Sequence, residues 1–146
     1  MMDPKQVVRA FVDAHNAHDI DAMMALLAED SVMIDVAAPI PLDSKQDVRK
    51  LFGMIFAAVD INFAITEMIC EGDRVFAAID TTGVGTGTWM GRDITGSKCD
   101  VYEGMLCEVR DGQIVRTHFY SDTATLSKQL GGYSPATDLP ADKKSG

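Results

Sequence analysis

Two tight turns constrain this chain more than any other feature. "EGDR" (71–74) and "RDGQ" (110–113) each stand between long runs in which apolar residues alternate with polar ones. Turns this short join antiparallel neighbours. Roughly Ile61–Cys70 and Arg74–Thr82 therefore form one hairpin, and Lys98–Val109 and Gln113–Ser121 another. The Gly/Thr-rich connection from Gly83 to Gly96, around Trp89, is expected to extend a hairpin.

The chain ahead of these strands has helical spacing. Asp3 can cap a first helix, Pro4 suits its first position, and Gln6 completes a capping box. Val7, Val8, Phe11 and Val12 form its apolar stripe, and His15 lies one turn beyond Phe11 on the same side. A second helix starts at Asp19 and buries Ile20, Met23, Met24 and Leu27. "SVMIDVA" reads as a short strand ended by a loop at Pro39–Pro41. Ser44 and Asp47 box the start of a third helix, striped by Val48, Leu51, Phe52, Ile55, Phe56 and Val59. A last helix, Thr123–Leu130, stops at Gly131-Gly132.

Helices followed by antiparallel strands define an α+β domain. The expected architecture is a strongly curved, mostly antiparallel sheet wrapped on one face by helices into a cone-shaped pocket. It spans residues 1–131, with 132–146 as a flexible tail.

Acidic residues number 22 against 13 basic, a formal charge of −9. That field repels nucleic acid and anionic membranes, so neither is expected as a partner. No apolar run is long enough to cross a membrane, and no charged-then-apolar leader is visible. Cys70, Cys99 and Cys107 have no metal-ligand spacing and suit a reduced, cytoplasmic setting. His15, His18 and His118 do not converge on one face, so no metal is expected. No cofactor motif is visible either.

"VVRAFVDAHNAHDIDAMMALLAEDSVMIDVA", "AAVDINFAI", "GDRV", "GTWMGRDITG" and "EVRDGQIVRTHFYSD…KQLG" resemble the SnoaL-like polyketide cyclases and ketosteroid isomerases, over roughly residues 5–131. The resemblance implies the nuclear-transport-factor-like fold, which hosts several chemistries and some non-enzymes. The ketosteroid isomerase pattern implies a general base at Asp35. It implies oxyanion donors at Phe11 and Met105, which cannot donate. The cyclase pattern implies an acid at Phe119, which is absent too.

"RTHFYSDTATL" (116–126) raises a competing site, because His118, Tyr120 and Asp122 share one strand face. The opposite face, with Thr117, Phe119 and Ser121, is the more apolar and should look inward. Asp122 is then expected to cap the last helix. His118 and Tyr120 fall on the outer sheet face, through which the resemblance implies a homodimer.

Asp35 sits among apolar neighbours in "VMIDVAAP". It is either a strand-end Asp bonding its own turn or a base in apolar surroundings. His15 is either a helix-end histidine bonding a carbonyl or a polariser paired with Asp35. Glu103 shares a strand face with Met105 and is read as a pocket group or as lying at an opening in the sheet edge. Met33 and Met105 supply an adaptable apolar wall. The expected function is cofactor-free acid–base chemistry on a small apolar carbonyl compound: isomerisation, dehydration or cyclisation. Asp35 and His15 would be catalytic, and Phe11, Met33, Glu103, Met105, Phe119 and Ser121 would contact the ligand. The alternative is a non-catalytic binding or accessory domain of the same fold.

Overall fold

The computed structural model describes residues 1–131, so the expected tail lies outside the described residues. In chain order the elements are α1 (Pro4–Asn16), α2 (Ile20–Ala25), β1 (Leu27–Asp35), β2 (Ala38–Leu42), α3 (Lys45–Ala58) and β3 (Val59–Glu71). They continue with β4 (Arg74–Gly85), β5 (Thr88–Trp89), β6 (Arg92–Asp93), β7 (Lys98–Arg110), β8 (Gln113–Ser121) and α4 (Thr123–Leu130).

Most local signals act as expected, but Ser44 and Asp47 form a simple cap in place of the expected box, and Leu27 and Val59, expected on α2 and α3, begin β1 and β3. Asp3 accepts from the Gln6 backbone N–H while the Gln6 side chain accepts from Asp3 N–H. Asp19, Ser44 and Asp122 cap α2, α3 and α4 through backbone N–H groups three residues on. The 71–74 and 110–113 turns carry Gly72 and Gly112 at positive φ, where a side chain would be strained. Gly131 ends α4 in the left-handed region.

Six strands form an open sheet in the order β2-β1-β8-β7-β4-β3. All neighbours are antiparallel except β1 and β8, which run parallel. The expected loop at Pro39–Pro41 is instead strand β2, paired with β1. Proline is tolerated there because β2 is an edge strand, where a missing N–H removes no ladder bond on the open side. β5 and β6 form a separate small hairpin, turned by Met90 and Gly91 at positive φ.

One apolar cluster fills the concave side. Val7, Val8, Phe11 and Val12 of α1 meet Met23, Met33, Val48, Phe52, Phe63, Ile79, Met105 and Cys107 in it. Phe119 packs against the cluster and is partly exposed. The pocket-wall residues expected from the sequence, Phe11, Met33 and Met105, are thus core residues at 2%, 7% and 1% exposure. Burying a side chain of this size stabilises the fold by roughly 1.5–3 kcal/mol. No described helix is long and apolar enough to cross a membrane.

Candidate active site

β7 carries Glu103 on the same face as Val101 and Met105, between Ile79 of β4 and Ser121 of β8. The Ser121 hydroxyl donates to Glu103 Oε2 at 2.5 Å. The Glu103 carboxyl is held above its ordinary pKa, chiefly because burial disfavours its charge. The hydrogen bond from Ser121 opposes that rise and the nearby Thr81 hydroxyl adds to the opposition, while the negative charges of Asp35 and Asp122 add to the rise. The Thr81 hydroxyl, 1% exposed, faces the carboxyl but has no partner within direct hydrogen-bond distance.

Asp35 ends β1 and stands beside Phe119 of β8 on the concave face. The sheet order places it one strand beyond β8 from Glu103, offset by two residues along β8. Its Oδ1 accepts from the Ala37 N–H at 2.9 Å, the turn bond that strand-end aspartates favour. Asp35 is half-buried rather than enclosed.

The expected His15–Asp35 pair does not form. His15 is fully buried at the end of α1, and its ring is stacked on Phe63 at 3.7 Å. Phe52 and Phe56, one turn apart on α3, stand edge-on to it at 5.9 and 5.3 Å. Its nearest polar partner is Asn16 Oδ1, 3.0 Å from Nδ1. Asn16 is itself fixed: its Nδ2 donates to the Phe63 carbonyl at 2.7 Å, and its Oδ1 accepts the Phe63 N–H at 2.8 Å. The amide orientation is therefore determined, and Oδ1 can only accept. His15 Nδ1 must donate to it, which leaves the lone pair on Nε2. That atom is buried and has no partner. In this tautomer His15 cannot donate to an oxyanion from Nε2, so the expected polariser role is not available to the neutral ring. Desolvation lowers the His15 pKa to about 4, with the nearby His18 adding to the fall and Asn16 opposing it.

The competing site of "RTHFYSDTATL" disperses. Asp122 Oδ1 caps α4 through Thr125 N–H at 3.1 Å, and that hydrogen bonding lowers its pKa. Tyr120 is 43% exposed on the outer sheet face. His118 lines a shallow depression there of about 380 Å³, with Arg74, Leu106, Glu108 and Arg116. Sequence reasoning missed Asn16, Phe63 and Thr81. Thr81 had a usable signal, since it lies two residues from Ile79 on one strand face. The Phe63 contacts of Asn16 reach 47 residues along the chain and left no local trace. No group of three metal-ligating side chains gathers among the described residues.

An α+β sheet with helices on its concave face is the SnoaL-like and ketosteroid isomerase-like architecture. The family model for the SnoaL-like polyketide cyclases matches residues 5–130, and the chain belongs to this family. AclR from Streptomyces galilaeus superposes with a TM-score of 0.80 at 22% identity, covering 97% of this chain and 87% of that one. IdmH from Streptomyces antibioticus gives 0.78 at 24%, covering 89% and 99%. An LEH-like epoxide hydrolase from M. tuberculosis gives 0.70 at 20%, covering 86% of each. At these identities the likeness is one of fold. No curated protein matches the sequence.

Proposed function

We propose that this protein is a cofactor-independent acid–base enzyme. It moves a proton beside the carbonyl of a small or medium-sized apolar compound, in an isomerisation, dehydration or intramolecular cyclisation. Glu103 carries the reading: a half-buried carboxyl, anchored by Ser121, whose acid form is favoured by burial and by the charge of Asp35. A carboxyl in its acid form donates to an oxygen that gains negative charge, while a second carboxyl on the same face takes the proton. Glu103 is the donor and Asp35 the base. Membership of a polyketide cyclase family supports an enzyme, as does the epoxide hydrolase with the same fold. Two further parts of the proposal are a homodimer and a cytoplasmic setting. The exposed Phe76, Tyr102 and Tyr120 of the outer sheet face support the first, and three free cysteines the second.

The test needs no knowledge of the natural substrate. Deuterium uptake at the α-carbon of apolar ketones such as 2-tetralone is followed by NMR in D2O. Wild type should catalyse exchange, and Asp35→Asn and Glu103→Gln should each slow it by about 10²–10⁴. Exchange no faster than in buffer across a ketone panel would sink the reading.

One observation favours a non-catalytic binding domain. Phe11 and Met105 are core residues without acid–base groups, and Phe119 stacks on Phe63 at 5.7 Å. Ketone binding without exchange would establish that reading.

A further inference from the structure

Thr81 carries a hydroxyl in a row of the sheet that gives it nothing to bond. In register it stands between Phe63 of β3 and Val101 of β7, so both cross-strand neighbours are apolar. The residue is 1% exposed, and its Oγ1 is buried without a partner. A buried hydroxyl left unpaired costs stability that a valine of the same shape would not. Glu103 is its diagonal neighbour, because Glu103 pairs with Ile79, two residues from Thr81 on the same face of β4. On the other side Ser121 of β8 lies opposite Glu103 and already donates to Oε2. The carboxyl thus has a hydroxyl on the strand to each side, one bonded and one idle. We infer that Thr81 is a positioning residue for Glu103: its hydroxyl donates to the free oxygen, Oε1, once the acid has given up its proton. This deepens the proposed function and rests on its assignment of Glu103 as the acid.

The chemistry explains why the second hydroxyl is needed. Asp35 takes the proton from the carbon beside the carbonyl, and the C–H electron pair passes to the carbonyl oxygen. That oxygen takes the Glu103 proton, and the electron pair of the broken O–H bond stays on Glu103 as its negative charge. The charge appears where burial disfavours it, and Asp122 adds a like charge nearby, as Asp35 does whenever it is ionised. Cys99 of β7 offers no relief: burial raises its pKa first, and the charges of Glu103 and Asp100 add to that rise. The groups that favour the anion are the Ser121 and Thr81 hydroxyls. Ser121 is engaged before the transfer, whereas Thr81 is free until it. An interaction made only as charge develops speeds the step rather than tightening the binding of substrate.

The experiment titrates the Glu103 side-chain carboxyl by ¹³C NMR on the full chain, in wild type, Thr81→Val and Thr81→Ser. Thr81→Val should raise the Glu103 pKa, and Thr81→Ser, which keeps the hydroxyl, should hold it. A packing role predicts the reverse order, because valine keeps the shape of threonine and serine loses a methyl group. In wild type the Thr81 Cβ resonance should move with the same midpoint as the Glu103 carboxyl, a readout that needs no variant to fold. In the ketone-exchange assay Thr81→Val should lower kcat about tenfold with KM unchanged, and Thr81→Ser should restore it. A Glu103 pKa unmoved in folded Thr81→Val, an equal rise in Thr81→Ser, or a Thr81 Cβ resonance that ignores the titration would overturn the inference. The titrations use no substrate, so the two proposals fail separately. Absence of ketone exchange sinks the reaction, and a failed titration sinks the Thr81 contact.

Discussion

Replacing His15 by phenylalanine should flatten the protein's stability against pH between about 4 and 6.5. In the fold His15 stays neutral down to about 4, whereas in the unfolded chain it takes a proton near 6.5. Above 6.5 both states are neutral and the group contributes nothing to the balance. As pH falls, the unfolded state binds the proton first and is stabilised by it, so folding stability is lost until the folded ring protonates too. At about 1.4 kcal/mol per pH unit, the full loss is about 3 kcal/mol, and by pH 5 it is about 2 kcal/mol. For a chain of this size that corresponds to a Tm lower by roughly 5–8 °C at pH 5 than at pH 7.5. Other groups titrate as well. Glu103 acts in the opposite direction, since its raised pKa makes the folded state the better proton binder. Those groups are common to both proteins, so the quantity of interest is the difference between wild type and His15→Phe. Calorimetry or urea unfolding at pH 5 and 7.5 supplies it. The variant's own packing change shifts both pH values alike and drops out. If the two proteins lose the same stability between pH 7.5 and 5, the buried neutral imidazole described here is refuted.

The Glu103 carboxyl gives a second prediction, with opposite signs for two neighbours. Ser121→Ala removes a hydrogen bond to the charged form and should raise the Glu103 pKa further, while Asp35→Asn removes a like charge and should lower it, as read by ¹³C NMR of the side-chain carboxyl. Asp122→Ala should lower Tm by a few degrees by uncapping α4, whereas Asp122→Asn should hold it, and neither should change ligand affinity. A Cβ at Gly85 would run into the Ile94 carbonyl, so Gly85→Ala should destabilise by about 1–3 kcal/mol or more in urea unfolding. Light scattering at micromolar concentration should give a dimer, and Tyr102→Asp should shift it towards monomer.

Signals confined to one or two turns of chain were readable in advance. The Asp3 box, the Asp19, Ser44 and Asp122 caps and the two glycine turns all depend on residues three or four apart, and all appear in the fold. The inward face of β8 was readable from alternation alone. β2 was not, because two prolines argue for a loop until the strand is known to lie at an edge. The concave face was harder still. Asp35 and His15 both face towards the core, but which of them meets which partner is decided by strand order and by Asn16. The hydrogen bonds of Asn16 to Phe63 fix the His15 tautomer across 47 residues of chain. Glu103 was visible as a misfit among apolar neighbours. Its significance required knowing that Ser121 lies opposite it in register.

The same asparagine has a consequence for how molecules of this protein meet. β3 is the outermost strand on one side of the sheet, and a long outermost strand is an invitation to fibril growth. By bonding both the N–H and the carbonyl of Phe63, Asn16 occupies a position where a neighbouring chain's backbone would otherwise attach. At the far border, Pro39 and Pro41 deprive β2 of two donors. Neither border therefore presents an uninterrupted backbone template to a second molecule, and the open-ended stacking of strands is disfavoured at both.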